Sequence, residues 1–433
     1  VDGMGINKEA VVGIAAGVVV GAAGAYVYFR KWASLDSGTD STPPSQQPSP
    51  SKRNESTELK TLPTAYTPYS VRWVWPRKFD TDIMIRYLAP SIEKGHMTNS
   101  GPASKRLELE AQIRMKLGQH KVVACANGTA ALHALYATYL MLGHDMSKGV
   151  LVSAFGFPPI AQGNWRNTTI TDIDMVHGGP ILPTDGSAPS AICVVNPFGY
   201  RVDVHYYRDF CDKHGCLLWM DNAACPLHLM PDGTNLMDIA DASIISLHET
   251  KAIGRGEGGL LVVKPEYELM AIRAINFGYD TTVPAEHRLG SWHPEASNWR
   301  MADLAAAAIL MTWECNWDTI VNYMVEHDDE VHDIGPFKRG AKGSIMNCIM
   351  EPRQERPGYE VKAYYYPLAS REVAPNAWKF FDANQCVPFH GPGGPVAYTP
   401  MDFHWISKST KNASVEFGSP QRKSPSPHQV LHK

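Results

Sequence analysis

The sequence lacks the main features of a nucleic-acid-binding protein or a metalloprotein. Its 433 residues include 40 basic and 44 acidic side chains, a formal net charge of −4, so no basic surface predicts a nucleic-acid partner. Its eight cysteines form no Cys-x-x-Cys pair and no Cys/His spacing typical of a metal site, which indicates reduced, mainly structural thiols. The 44% hydrophobic composition provides the core of one large two-part fold or of two to three ordinary domains.

An uncharged segment near the start of the chain has the length of a membrane-spanning helix. Residues 10–29 contain no charged side chain, and about 20 apolar residues cross a bilayer as a helix. Gly13, Gly17 and Gly21 recur at every fourth position, which would let another helix pack closely. We therefore predict a transmembrane anchor at 10–29.

The residues that flank this segment predict its orientation. Residues 1–9 form a short flank, and Arg30 and Lys31 would stay on the cytoplasmic side by the positive-inside rule. The main domain would then be membrane-anchored and face the cytoplasm. Two alternatives remain open: a secretory signal cleaved after Ala23-Gly24-Ala25, and a segment that never inserts, because alanine and glycine drive insertion weakly.

Composition divides the rest of the chain. Residues 33–64 are rich in Ser, Thr, Pro and Gln, and such a segment cannot bury enough apolar surface to offset the entropy lost on ordering. We predict a disordered linker there and a disordered tail at 407–433, which has the same character. Between them we predict a large domain at 65–315 and a small C-terminal domain at 316–406.

Short apolar runs alternate with helical patterns through the large domain. Strand-like runs occupy 122–125, 150–152, 191–195, 216–220, 243–245 and 260–263, and helical patterns occupy 130–142 and 204–214. Strands that alternate with helices require right-handed crossovers and a mainly parallel sheet. We therefore predict an α/β fold with a mainly parallel central sheet, whose ligand binds at the carboxyl ends of the strands.

A lysine followed by a glycine-rich turn joins two of these strands. Lys251 lies between the runs at 243–245 and 260–263, and four glycines follow it by residue 259. A lysine held near apolar walls loses hydration, which destabilises its ammonium form and makes its amine a nucleophile that can form a Schiff base. The alternative is a surface lysine in a glycine-rich loop, and this stretch alone favours that alternative.

Residues at the ends of other strands could complete a site. Asn127-Gly128-Thr129 stands between a strand and a helix, where backbone N–H groups favour a phosphate, although an ordinary Asn-Gly turn with a Thr cap is common. Asp221 follows a buried strand, and a buried acid needs a partner, either a protonated ring nitrogen or the N–H groups of the next segment. Phe155 and Phe157 could wall a planar cofactor, although core packing is more usual.

Together these elements predict a pyridoxal phosphate site. A phosphate-binding turn, an aromatic wall, a strand-end acid and a strand-end lysine follow in that order, with Ser246 and His248 just before the lysine. Pyridoxal phosphate requires a lysine for the Schiff base, an acid that keeps its pyridine nitrogen protonated, and donors for its phosphate.

The chain resembles the DegT/StrS family of pyridoxal-phosphate-dependent nucleotide-sugar aminotransferases from about Thr98 to about Trp313. The matching segments are TNSGP at 98–102, NGTAALH at 127–133, TDID at 171–174, NPFG at 196–199, Asp221 with Ala223, SLHETK at 246–251, GEGG at 256–259 and NWRM at 298–301. Each segment is modest evidence alone, whereas their joint order and spacing are specific.

The resemblance implies a fold-type I architecture. The large domain at 65–315 would bind pyridoxal phosphate, and the part at 316–406 would be a smaller α+β domain. Lys251 would form the Schiff base, and Asp221 would pair with the pyridine nitrogen.

The resemblance also implies how the rest of the cofactor is held. Gly128, Thr129 and Ser246 would bind its phosphate, and Phe157 would stack on its ring. The family asparagine that matches Asn298 reaches the phosphate of the neighbouring subunit, which implies a homodimer with shared active sites.

Several positions depart from the family pattern. Ala224 stands where the family usually has Gln or His close to the ring hydroxyl, and Ala252 stands where Asn usually follows the lysine. Residues 322–406 match poorly, although 364–368 resemble the Tyr-Tyr-Pro segment of the family and 387–390 its late Leu-Pro segment.

The resemblance implies amino transfer, with glutamate as donor, to a keto group of a nucleotide-linked sugar. One alternative is a sugar dehydratase of the same fold, but histidine replaces the lysine in those members, so Lys251 argues against it. A second is another fold-type I enzyme that acts on amino acids. The third is a membrane-tethered, non-catalytic binding module, which Ala224 and Ala252 would favour and which the retained Lys251 and Asp221 argue against.

Overall fold

The computed structural model describes residues 73–74, 77–161, 167–288, 290–359 and 365–388. The predicted anchor at 10–29, linker at 33–64 and tail at 407–433 lie outside these residues and stay predictions. Within the described ranges, no helix is both long enough and apolar enough to cross a bilayer.

A central sheet organises the fold. The first eight strands are β1 (Lys121–Cys125), β2 (Val150–Ser153), β3 (Phe155–Gly156), β4 (Thr168–Thr171), β5 (Ala191–Val195), β6 (Leu217–Asp221), β7 (Ala242–Ser246) and β8 (Gly259–Val263). All except β3 form one seven-stranded sheet in the order β1-β8-β7-β6-β5-β2-β4. Every neighbouring pair from β4 to β7 is parallel, and β8 alone among the seven runs antiparallel to both of its neighbours. The predicted α/β fold with a mainly parallel sheet is therefore confirmed.

Helices cover this sheet. They are α1 (Thr81–Glu93), α2 (Pro102–Arg114), α3 (Gly128–Met141), α4 (Val204–His214), α5 (Glu268–Ala274), α6 (Asp303–Glu326) and α7 (Pro375–Ala383). Strands β5 and β8 are buried along their whole length, as expected for continuous apolar runs that are covered on both faces. Helix α3 packs on β7 and β8, and α4 packs on β5 and β6.

Local signals in the sequence fix the helix ends. The Asn127 side chain accepts the Ala130 N–H at 2.8 Å at the start of α3, and the Asp203 side chain caps α4. Helix α4 then ends at Gly215, whose φ of +68° is a left-handed conformation that glycine adopts without strain.

The C-terminal part is joined to the large domain by three structural links. Helix α6 runs without a break through residue 315, the predicted domain boundary. Strand β10 (Tyr366–Pro367) pairs with β3, whereas β9 (Cys348–Pro352) and β11 (Asn384–Pro388) pair with each other. The Asp172 carboxylate accepts the N–H groups of Asn376 and Ala377 at 2.8 and 2.9 Å, at the start of α7.

Candidate active site

The carboxyl ends of β1, β6 and β7 surround one cavity of about 340 Å³, within the size range of small-molecule sites. Six of the seven predicted site residues line it: Gly128, Thr129, Phe157, Asp221, Ser246 and Lys251. Because parallel strands end at the same edge of a sheet, residues far apart in sequence meet at this cavity.

One end of the cavity is the N-terminus of α3. Gly128 and Thr129 are its first two residues, and their N–H groups have no acceptor within the helix. A Cβ atom at Gly128 would lie only 3.0 Å from the Cβ of Ser246, so glycine lets the helix approach the end of β7. This arrangement of free donors and positive helix dipole suits a phosphate.

Asp221 ends β6 and lines the cavity. Its side chain is only 5% exposed, and burial raises the pKa of its carboxyl. The Ala223 N–H donates to the carboxylate at 3.0 Å. This hydrogen bond and the charge of Lys251 both lower the pKa of Asp221 and so partly offset the effect of burial.

Lys251 lies on the turn between β7 and β8. Burial lowers the pKa of its ammonium from 10.5 to about 8, against the opposing effect of the Asp221 charge. With a pKa of about 8, on the order of a tenth of this amine is neutral and nucleophilic at pH 7.

The two candidate aromatic residues differ in position. Phe155 is buried and packs against Phe337 and Phe380 at ring distances of 5.9 and 5.3 Å. Phe157 is 44% exposed and lies on the cavity wall. Phe155 therefore belongs to the core, and Phe157 is the ring available to a ligand.

Asn298 does not line the cavity. It is exposed, its side-chain oxygen accepts the Arg300 Nε–H at 2.9 Å, and its backbone forms a bridge with Asn276. Within one chain it does not reach the site, so its implied role in a second subunit stays a prediction.

Other cavity residues had no role assigned to them from the sequence. His248 shares a hydrogen bond of 2.8 Å with the Thr250 hydroxyl, and its Nε2 lies 3.6 Å from a carboxylate oxygen of Glu257. Tyr365 arrives from the C-terminal part through the pairing of β10 with β3, and its buried hydroxyl has no partner among the described residues. The Tyr-Tyr-Pro resemblance marked Tyr365, but no local signal placed it at the cavity.

The positions that depart from the family pattern are buried. Ala224 and Ala252 are 1% and 4% exposed, and neither lines the cavity. The Ala252 N–H donates to the Asn347 side chain at 3.0 Å, so a backbone contact fixes the residue after the lysine.

Sequence comparison identifies the family. The sequence profile of the DegT/DnrJ/EryC1/StrS aminotransferase family matches residues 80–314, more than half of the chain. The chain belongs to this family. The match spans the turn before α3, Asp221 and the Lys251 turn, and the predicted family is confirmed.

Solved structures share the fold of this aminotransferase. DesI, in a structure with its TDP-sugar product, is 20% identical to this chain, with a TM-score of 0.57. The match covers 74% of this chain and 89% of the DesI chain. The aminotransferase TlmJ from Streptoalloteichus hindustanus is 18% identical, and the match covers 74% of this chain and 93% of the TlmJ chain, with a TM-score of 0.58. The 3-amino-5-hydroxybenzoic acid synthase is 17% identical, and the match covers 72% of this chain and 92% of the synthase chain, with a TM-score of 0.57.

Pyridoxal phosphate is the cofactor of this aminotransferase family, and structurally similar proteins include a PLP-dependent aminotransferase and a PMP form. The predicted fold-type I architecture, enzyme class and cofactor are confirmed at this level. The residues present also fit the group: a helix N-terminus for the phosphate, a buried acid for the pyridine nitrogen, and a lysine whose pKa burial lowers.

Proposed function

We propose that this aminotransferase moves an amino group from glutamate to a keto group of a nucleotide-linked sugar. The proposal rests on one cavity, which is lined by Lys251, by the buried Asp221 and by the N-terminus of α3. Burial lowers the pKa of Lys251. DesI, whose structure contains a TDP-sugar product, supports the substrate class. The synthase that makes an aminobenzoic acid shares the same fold, so the substrate needs a direct test.

The phosphate of the cofactor would bind at the start of α3. The N–H groups of Gly128 and Thr129 would donate to it, and the positive end of the helix dipole would stabilise its charge. The Ser246 hydroxyl accepts the His248 N–H at 3.3 Å and keeps its own O–H to donate. Phe157 would cover one face of the ring.

Asp221 and Lys251 would control protons. When bound, pyridoxal phosphate withdraws electrons from the carbon that carries the transferred amine. Asp221 would hold a proton on the pyridine nitrogen, because a cationic partner is what stabilises a buried carboxylate. Lys251 would hold the cofactor between turnovers. Once the donor amine has replaced it, Lys251 would take the proton from the donor α-carbon as general base and, as general acid, deliver it to the cofactor carbon that keeps the amine.

A second copy of the chain would complete the site. Asn298 is exposed, and Trp292, which precedes it by six residues, is 61% exposed. Phe277, which follows the bridge partner Asn276, is 39% exposed. Large exposed apolar side chains are common at protein interfaces. We therefore include a homodimer, with Asn298 directed to the phosphate of the partner, in the proposal; sedimentation of the purified chain as a monomer would contradict it.

Membrane anchoring through 10–29, with the catalytic domain in the cytoplasm, is also part of the proposal and rests on the sequence alone. The full chain should pellet with membranes, whereas a chain starting at Thr64 should stay in the supernatant. Equal partition of both chains would exclude the anchor.

Product analysis tests the proposed reaction. The full chain is incubated with pyridoxal phosphate, glutamate and a panel of nucleotide-linked keto sugars, and mass spectrometry follows 2-oxoglutarate and the amino sugar. We expect both products in equal amounts from at least one sugar, and neither from Lys251→Ala. Binding of the sugars without conversion would favour the non-catalytic module, and conversion of amino or keto acids alone would favour another fold-type I enzyme.

A further inference from the structure

A buried arginine from the N-terminal edge of the domain reaches the turn that carries Lys251. Arg77 stands just before α1, and its side chain is 2% exposed. It lies 174 residues from Lys251 in sequence. Burial lowers the pKa of its guanidinium to about 10, so it remains charged at neutral pH.

The guanidinium of Arg77 donates to three backbone carbonyl groups of this turn. One terminal nitrogen donates to the carbonyl oxygens of Lys251, at 3.0 Å, and of Gly254. The other donates to the carbonyl oxygen of Glu249 at 2.7 Å and to its carboxylate, also at 2.7 Å. The contacts therefore span residues 249–254, on both sides of the lysine.

Among the described residues, the backbone of the turn supplies a donor to only one of these three carbonyl groups. Within it, the Lys251 N–H donates to the His248 carbonyl at 2.8 Å and the Gly254 N–H donates to the Lys251 carbonyl at 3.1 Å. The carbonyl of Glu249 receives no other hydrogen bond recorded among the described residues. Without Arg77, these partly buried carbonyl groups would lose a charged donor, and the turn would have to open or shift to find replacements.

A second ion pair holds the same carboxylate. Arg255 donates to a Glu249 carboxylate oxygen at 3.0 Å and to the Thr312 hydroxyl on α6, also at 3.0 Å. Glu249 therefore bridges two guanidinium groups, that of Arg77 and that of Arg255. Only a planar fork with several donors can contact the carboxylate and the carbonyl groups together, so lysine could not replace arginine at position 77.

We propose that Arg77 is a positioning residue, which fixes the backbone of residues 249–254 and thereby holds the Lys251 amine in the cavity. The inference uses the proposed role of Lys251 but not the identity of the sugar. It also makes the position of Lys251 depend on a segment that precedes α1 and does not line the cavity.

Hydrogen exchange of the full chain without cofactor tests this directly. Arg77→Lys and Arg77→Ala should accelerate exchange of the amides at 249–254 by about tenfold or more, because the turn loses the donor that holds three of its carbonyl groups and opens more often. Exchange in β5 should stay at the wild-type rate. Arg208→Lys is the matched control, since it weakens a partly buried ion pair with Asp241, at 2.9 Å, away from the turn.

A second readout follows the lysine itself. Pyridoxal phosphate captured by Lys251 is fixed by borohydride reduction and counted by peptide mass spectrometry across a pH series. Capture should slow about tenfold in both Arg77 variants, and guanidinium ion should restore it in Arg77→Ala. Arg208→Lys should capture the cofactor at the wild-type rate with or without guanidinium ion.

Two outcomes would overturn the proposal. Wild-type exchange and capture in both Arg77 variants would show that the contacts do not hold the turn. Exchange that rises as much in β5 as in the turn would show a general stabilising role. If Arg77→Ala does not fold, Arg77→Lys decides. Loss of sugar conversion with an unchanged turn would concern the proposed function and not this inference.

Discussion

Lys251→Met should stabilise the protein in the absence of cofactor. The wild-type chain buries an ammonium group whose pKa falls from 10.5 to about 8. At about 1.4 kcal/mol per pKa unit, this shift corresponds to a cost of about 3 kcal/mol in the free energy of unfolding at pH 7. Methionine has a similar length and no charge, so it removes this cost while filling the same space.

The gain should depend on pH in a defined direction. Below pH 8 the lysine is protonated in both the folded and the unfolded chain, so its full cost is present. Between pH 8 and 10.5 the folded chain loses the proton before the unfolded chain does, and the stability of the wild type rises with pH. The advantage of Lys251→Met should therefore be largest below pH 8 and decline until about pH 10.5.

Denaturant unfolding of both chains from pH 7 to 10.5 measures this difference. Part of the gain reflects the apolar contacts of methionine and does not vary with pH, so the pH-dependent part is the diagnostic quantity. Asp221→Asn provides a control with the opposite effect. The Asp221 charge favours the protonated lysine, so its removal should increase the pH-dependent cost of burying the ammonium group. A constant difference between Lys251→Met and the wild type across this range would refute the burial of a charged lysine.

Three further predictions test other parts of the site and fold. Gly128→Ala should weaken binding of pyridoxal phosphate by about tenfold in a fluorescence titration, because its Cβ would lie 3.0 Å from that of Ser246; unchanged affinity would contradict the close approach. Asp221→Asn should lower the pKa of Lys251 below about 8, since the carboxylate raises it, and the pH profile of amine labelling at Lys251 should move to lower pH; a shift to higher pH would be inconsistent. Asp172→Ala should lower the free energy of unfolding by about 1–2 kcal/mol, because two N–H groups at the start of α7 lose their acceptor; equal denaturant midpoints would exclude this capping role.

Much of the sheet could be predicted because its strands are short apolar runs. The runs at 191–195 and 260–263 coincide with β5 and with most of β8. The direction of β8 was not predicted. The connection from Ser246 to Gly259 is a glycine-rich turn without a crossover helix, so β8 returns antiparallel to β7.

The candidate site was predictable where residues follow strand ends. Asp221 and Lys251 lie where the rule for parallel sheets places ligand-binding residues. Tyr365 reaches the cavity, and Arg77 reaches the turn that carries Lys251, through contacts between distant parts of the chain, and such contacts leave no periodic or local signal. The rule also could not distinguish Phe155 from Phe157, because only packing shows which ring is buried.

The most direct test of the central claim is the absorbance spectrum of the purified full chain with pyridoxal phosphate, recorded before and after glutamate. We expect a band near the visible edge that shifts toward the ultraviolet when glutamate is added, and that is absent from Lys251→Ala. A chain that stays colourless with added pyridoxal phosphate, or a Lys251→Ala variant with the wild-type band and shift, would contradict the assignment of Lys251.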